Sequence, residues 1–275
     1  MSQQLDSSAI TEVRDMVLTS IIEKQLNRMA CDTIALPVGV SVKSLEQFQF
    51  ERYRFRGAME TSNIDEFVKY SSGYAGDGVR CFIDADEMRA QTIFNIGTLL
   101  NPGHADNTAS LSLKKTAPFR ELLNIDGRKQ AQKELAEWLE DYREFLLAFD
   151  ADGVVLDIKK AVGAVRRITI EQTSSADHED QDFSAKRSVM ESVEAKSKDV
   201  MPAAFEFKCV PYEGLGERRF KLRYSILTGG NVPVLVLRIV QLEAEEEKIA
   251  VEFLELLTDK FKDVEVETFI GKFKA

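Results

Sequence analysis

Residues 218–240 read RRFKLRYSILTGGNVPVLVLRIV, and this stretch decides the fold class. Arg219, Lys221 and Arg223 alternate with Phe220, Leu222 and Tyr224, the period of two expected of a strand with one wet and one buried face. The TGGN at 228–231 supplies glycines for the positive φ angles of a tight turn, so a hairpin is expected. Its second arm, Val234 to Val240, is apolar on both faces apart from Arg238 and reads as a central strand. Upstream, AFEFKCVP at 204–211 reads as a third strand. Downstream, EAEEEKIAVEFLELLTDKF predicts an amphipathic helix with Ile249, Phe253, Leu257 and Phe261 inward and glutamates outward. Such a helix covers one face of an antiparallel sheet.

Working outward, the remaining segments alternate without a regular βαβ rhythm. Ile10, Val13, Val17 and Ile21 predict a helix over 8–29. In FERYRFRGAM, residues 50–59, Arg52, Arg54 and Arg56 fall on one side of an expected strand and Tyr53 and Phe55 on the other. A helix follows Ser62 and closes at Gly73. Strands are expected near 79–83, 90–96 and 109–114. Leu135, Trp138, Leu139, Tyr142, Phe145, Leu146 and Phe149 trace an apolar stripe that predicts one continuous helix, and a second helix is read over 154–165. Residues 172–200 are polar and read as a solvated loop or an exposed hairpin. The expected fold is therefore α+β, with mixed, mainly antiparallel sheets packed against several amphipathic helices. Residues 1–31 form a helical segment and 32–275 one domain, with a sub-boundary placed in 172–200.

Composition bounds the function. The 275 residues are 44% hydrophobic and 30% charged, ordinary for a folded chain with a sizeable core. No run of about 18 apolar residues is present, so no membrane partner is expected. Residues 1–8 lack the basic and apolar regions of a signal peptide, and Cys31, Cys81 and Cys209 are scattered, which implies buried thiols in a reducing cytoplasm. A net charge of −10 argues against whole-molecule attraction to polyanions. Any nucleic-acid site has to be a local basic patch.

Four stretches imitate catalytic features, and none has the context that a site needs. LLAFDADGVVLD, residues 146–157, imitates the DxDG signature of a phosphatase nucleophile, which needs Asp150 and Asp152 at the end of a buried parallel strand. The helical stripe before them places both at a helix end, as turn residues. Asp84, Asp86 and Glu87 follow a strand, where paired carboxylates could hold Mg²⁺, but no further ligand is assignable. His104 lies near Asp106 in a turn-rich loop without a nucleophile in context, and His178 lies in an acidic loop. Gly214 and Gly216 in YEGLGERR read as a turn. No catalytic residue, metal ligand or cofactor is therefore expected.

The pattern that survives is cationic. Arg52, Arg54 and Arg56 on one strand, and Arg219, Lys221 and Arg223 on another, would form a phosphate-binding stripe if the two strands share a sheet. Otherwise each row faces solvent as half-exposed strands do. Tyr53, Phe55, Phe220 and Tyr224 project to the opposite side, which leaves a base-stacking platform incomplete.

LPVGVSVKSLEQFQFERYRFRG at 36–57, DEFVKY, NPGHADNTASLSLKKTAPFRELLNIDG and EWLEDYREFL resemble the YfdQ-like family of phage and prophage proteins, whose function is unknown. The resemblance extends over nearly the whole chain. It implies an accessory role in the cytoplasm of a bacterial host and transfers no catalytic residue. The expected function is a non-enzymatic accessory protein that forms a homo-oligomer and contacts nucleic acid through its basic strands. The alternatives are an acidic modulator that binds a host protein, and a phosphatase- or nuclease-like enzyme using Asp150 and Asp152.

Overall fold

In the computed structural model, residues 7–26, 46–168, 200–227 and 233–274 are described. The chain divides into two units, 1–55 and 56–275. The first contains helix α1, Ser7–Leu26, on which Ile10, Val13, Met16 and Val17 are exposed. It also contains a short 3₁₀ turn, Glu46–Phe48.

The second unit is built on two sheets. Strands β1 (Gly57–Thr61), β2 (Arg80–Asp84), β3 (Arg89–Ile93), β4 (Asn107–Ser112) and β11 (Glu267–Ile270) form a five-stranded sheet in the order β1-β4-β3-β2-β11. The β1–β4 and β2–β11 pairs are parallel and the rest antiparallel. Strands β5 (Lys129–Ala131), β6 (Leu146–Phe149), β7 (Val155–Leu156), β8 (Ala204–Cys209), β9 (Arg218–Leu227) and β10 (Val234–Ile239) form the second sheet, in the order β5-β10-β9-β8-β6-β7 and antiparallel throughout. With the helices below, this is an α+β fold.

Helices α2 (Ile64–Gly73) and α6 (Leu242–Phe261) pack on the five-stranded sheet. Asn63 caps α2 by accepting a hydrogen bond from the Glu66 amide. Alternation along β2 and β4 turns Cys81, Ile83, Ala109 and Leu111 inward, where Phe67 of α2 meets Phe261 of α6 edge to face at 6.1 Å. Helices α3 (Ala117–Ile125), α4 (Gln132–Asp141) and α5 (Ile158–Arg166) cover one face of the six-stranded sheet. There Phe119 of α3 stacks on Phe220 of β9 at 5.3 Å. Phe205, Phe207, Leu222, Tyr224, Leu235 and Leu237 complete that buried face.

Three expectations are corrected. The stripe from Leu135 to Phe149 is not one helix: α4 stops at Asp141, a 3₁₀ turn covers Arg143–Phe145, and Leu146–Phe149 is strand β6. Trp138, Tyr142 and Phe145 all close on Phe207, and pairing of β6 with β8 overrides the local helical period. The helix read over 154–165 likewise begins only at Ile158, capped by Asp157, after the short strand β7. The segment carrying Arg52, Arg54 and Arg56 is not a strand, since β1 begins at Gly57. Strands β9 and β10 pair as the expected hairpin, while its TGGN turn lies outside the described residues, as do Cys31, His178 and residues 169–199.

Candidate nucleic-acid interface

On the face of the six-stranded sheet turned away from α3, α4 and α5, the described side chains are exposed or half-buried. Along β9 the burial pattern leaves Arg219, Lys221 and Arg223 exposed and buries Phe220, Leu222 and Tyr224, as the alternation predicts. Residues two apart on a strand lie about 6.7 Å apart, so this row of charges spans roughly 13 Å. Register adds further cations. Arg238 of β10 lies directly opposite Arg223, and Lys208 of β8 opposite Arg219. Lys129 of β5 pairs with Val236 and is exposed on the same face.

Two of these cations have carboxylate partners. Arg219 reaches Glu206 at 3.4 Å and Lys208 reaches Glu217 at 2.7 Å. Among the described residues, Lys221, Arg223 and Arg238 form no ion pair. Like charges directly opposite on neighbouring strands cost a few tenths of a kcal/mol up to about 1 kcal/mol. The register therefore sets two like charges opposite each other on neighbouring strands, with the Arg238 guanidinium lying beside Gly127.

The predicted partners of this row are not brought to it. Arg56 immediately precedes β1, which belongs to the five-stranded sheet, whereas Arg219, Lys221 and Arg223 lie in the other sheet. Arg52 and Arg54 belong to the first unit. The shared stripe expected from the two arginine-rich stretches does not form through one sheet. Lys129, Lys208 and Arg238, which do join it, are scattered in sequence and become neighbours only through strand order.

Among the described residues, several of the other chemistry-bearing side chains are held in structural contacts. The Asp150 Oδ1 accepts hydrogen bonds from the Asp152 and Val154 amides at 3.0 and 2.7 Å, forming the turn between β6 and β7. Gly153 completes that turn at φ 80°, a value that favours glycine. Both aspartates thus follow a strand rather than a helix, but that strand is antiparallel to each neighbour. His104 is exposed, and Asp106 accepts a hydrogen bond from Asn95 at 2.8 Å. Cys81 and Cys209 are buried, and burial pushes both thiols up to about 12, far from a reactive thiolate. In the YEGLGERR turn, the Gly216 amide donates to Glu252 of α6 at 2.6 Å.

On one face of the five-stranded sheet, a groove of about 1010 Å³ is lined by Ser110, Ser112, Gln91, Phe82, Asp84 and Glu87. A lysine sits between the two carboxylates. The Lys272 ammonium lies 3.0 Å from Asp84 and 2.9 Å from Glu87. No group of three or more metal-ligating side chains exists among the described residues. The Lys272 hydrogen bond holds the Glu87 carboxyl below its ordinary 4.5, and Glu87 and then Asp84 raise Lys272 above its ordinary 10.5. The Glu87 contribution is therefore complete above pH 4.5 and is lost as pH falls through its lowered value. The Lys272 contribution is complete below 10.5 and is lost as pH rises through its raised value. This clasp sits beside the Gly271 amide, which donates to the Ile83 carbonyl at 2.8 Å. Exchange of that amide, corrected for intrinsic rate, should be slow near neutral pH and accelerate as pH falls through the lowered Glu87 value. In Lys272→Met it should be fast at neutral pH already.

The described molecule is thus an α+β protein of two sheets, one carrying an exposed cationic face and neither carrying an assembled metal centre among the described residues. No helix among the described residues is long and apolar enough to cross a membrane. The chain belongs to the uncharacterized conserved family DUF2303, whose pattern matches residues 6–273. No curated protein and no solved structure matches it.

Proposed function

We propose that this protein is a non-enzymatic nucleic-acid-binding accessory factor that holds the phosphate backbone on the outer face of its six-stranded sheet. The observation that carries the reading is the cross-strand pair Arg223–Arg238 with Lys221 beside it, cations that form no ion pair among the described residues of a chain of net charge −10. Concentrating unpaired cations on one face of an otherwise acidic body favours a polyanion there and repels it elsewhere. The buried Cys81 and Cys209 thiols support a reducing cytoplasm as its place. The resemblance of its sequence stretches to phage and prophage proteins supports an accessory role in an infected bacterium. The exposed row Ile10, Val13, Met16 and Val17 on α1 supports self-association.

Retention of a labelled oligonucleotide at graded salt tests the reading. Three to four phosphate contacts on a single strand predict a slope of log affinity against log salt of about −2 to −3. The double variant Lys221→Glu, Arg223→Glu should abolish retention at every salt concentration with only a small shift of the denaturation midpoint, because both side chains are exposed and the altered cross-strand pairs, with Glu206 and Arg238, change in opposite senses. Retention that survives this double reversal, or its absence in the unaltered protein at low salt, overturns the reading.

A further inference from the structure

The row carrying Arg223 and Arg238 continues across the sheet in the other direction. Arg223 pairs with Ala204, Ala204 with Phe149, and Phe149 with Val155. Val155, Phe149, Ala204, Arg223 and Arg238 therefore lie in line on one face, one from each of five adjacent strands. In the next row, Leu147 pairs with Glu206 and Glu206 with Lys221. The face is divided in two: cations on β9 and β10, apolar side chains on β6 and β7. Val155 is 59% exposed and Leu147 is 40% exposed. Phe149 is half-buried and is not among the residues packed against the core.

Adjacent strands lie about 4.8 Å apart, so Phe149 and Arg223 are separated by roughly 10 Å across Ala204. Ala204 has only a methyl group, which leaves a depression between the aromatic ring and the guanidinium. An unpaired nucleotide has the matching pair of surfaces, a flat apolar base at one end and an anionic phosphate at the other. A duplex presents phosphates but hides its base faces in the stack, and would leave the apolar half uncovered.

We propose that this face selects single-stranded polynucleotide, with phosphates on Lys221, Arg223 and Arg238 and a base laid on Phe149 through the gap above Ala204. The proposal rests on the nucleic-acid reading of the same face and adds the strandedness and the base contact to it. Base contact here is stacking, so it carries little sequence preference.

The test uses the full chain and four probes of one length: oligo(dT), oligo(U), the abasic deoxyribose-phosphate strand, and a duplex. The abasic strand has the same phosphates without bases. Oligo(dT) or oligo(U) should bind about five- to a hundredfold more tightly than the abasic strand, the range one stacked base supplies. The tighter of the two identifies DNA or RNA as the source. Phe149→Ala should lower the single strand to the abasic level and leave abasic binding unchanged, and Phe149→Trp should restore the difference. Ala204→Leu, which fills the depression from the solvent side, should act like Phe149→Ala and covers the case in which that variant fails to fold. Equal binding of the abasic and base-bearing strands by the unaltered protein overturns the proposal while leaving the polyanion reading intact, and so does a duplex bound more tightly than either single strand. Failure of every probe at low salt removes the polyanion reading itself, and this proposal with it.

Discussion

Replacing Phe207 by alanine should lower the stability of the second unit by about 3–5 kcal/mol, the range for deleting a fully buried aromatic side chain. Phe207 is 0% exposed at the centre of β8. Its ring lies 5.8 Å from Trp138, 6.3 Å from Tyr142 and 5.5 Å from Phe145. Leu146 and Phe220 flank it across the ladder. Alanine would leave a cavity bounded by α4, the 3₁₀ turn and three strands, and large rings on rigid elements collapse poorly into such a space. Urea denaturation should show a much lower midpoint with an unchanged slope. A loss below about 1 kcal/mol would mean that these aromatic residues do not converge on β8.

Arg218→Ala should have the second largest effect, about 2–4 kcal/mol, because it leaves the half-buried Glu252 carboxylate without its cation while Glu245 keeps Lys248 at 2.6 Å. Arg218 begins β9 and its side chain is only 18% exposed. It lies 2.7 Å from Glu252 and 3.8 Å from Glu245, both on α6, and donates to the Lys248 carbonyl at 3.0 Å. The other Glu252 oxygen accepts from the Gly216 amide. One arginine and one glutamate thus pin α6, which covers the five-stranded sheet, to the turn that enters β9 of the other sheet. The diagnostic comparison is Arg218→Met with Glu245→Gln and Glu252→Gln, which removes the charges together. It should recover most of the stability lost in Arg218→Ala, since the cost lies in the uncompensated Glu252 carboxylate more than in the missing contact. A triple variant no more stable than Arg218→Ala would place the cost in packing of the arginine stem instead.

Much of the frame is legible from local pattern. The hairpin of residues 218–240, the inward stripe of α6 and the exposed row Arg219, Lys221 and Arg223 follow from periods of two and 3.6 that no other element contests. Residues 145–149 resist such reading because LLAF satisfies both periods. Leu146 and Ala148 point inward on a strand as readily as Leu146 and Phe149 share a helix face. Only the partner strand β8, nearly 60 residues later, decides between them. That ambiguity hid Leu147 and Phe149 from the reading of the cationic face. The arginines at 52, 54 and 56 show the converse, since strict alternation there is not followed by a strand. Assigning Arg238, Lys208 and Lys129 to one surface requires knowing strand order, which no window of sequence contains. The role of Lys272 between Asp84 and Glu87 depends on contacts across almost 190 residues for the same reason.

The five-stranded sheet pairs β2 with β11, so Arg80 meets Glu267 at a separation of 187 residues. During synthesis, the edge of β2 emerges from the ribosome long before the strand that covers it. At about 5–20 residues per second that edge stays unpaired for some ten seconds or more. Closing so distant a contact is slow, and an open edge is a template for pairing with a neighbouring nascent chain. Growth conditions that slow elongation through residues 85–266 should therefore lower the yield of correctly assembled protein more than conditions that slow it before Arg80 is made.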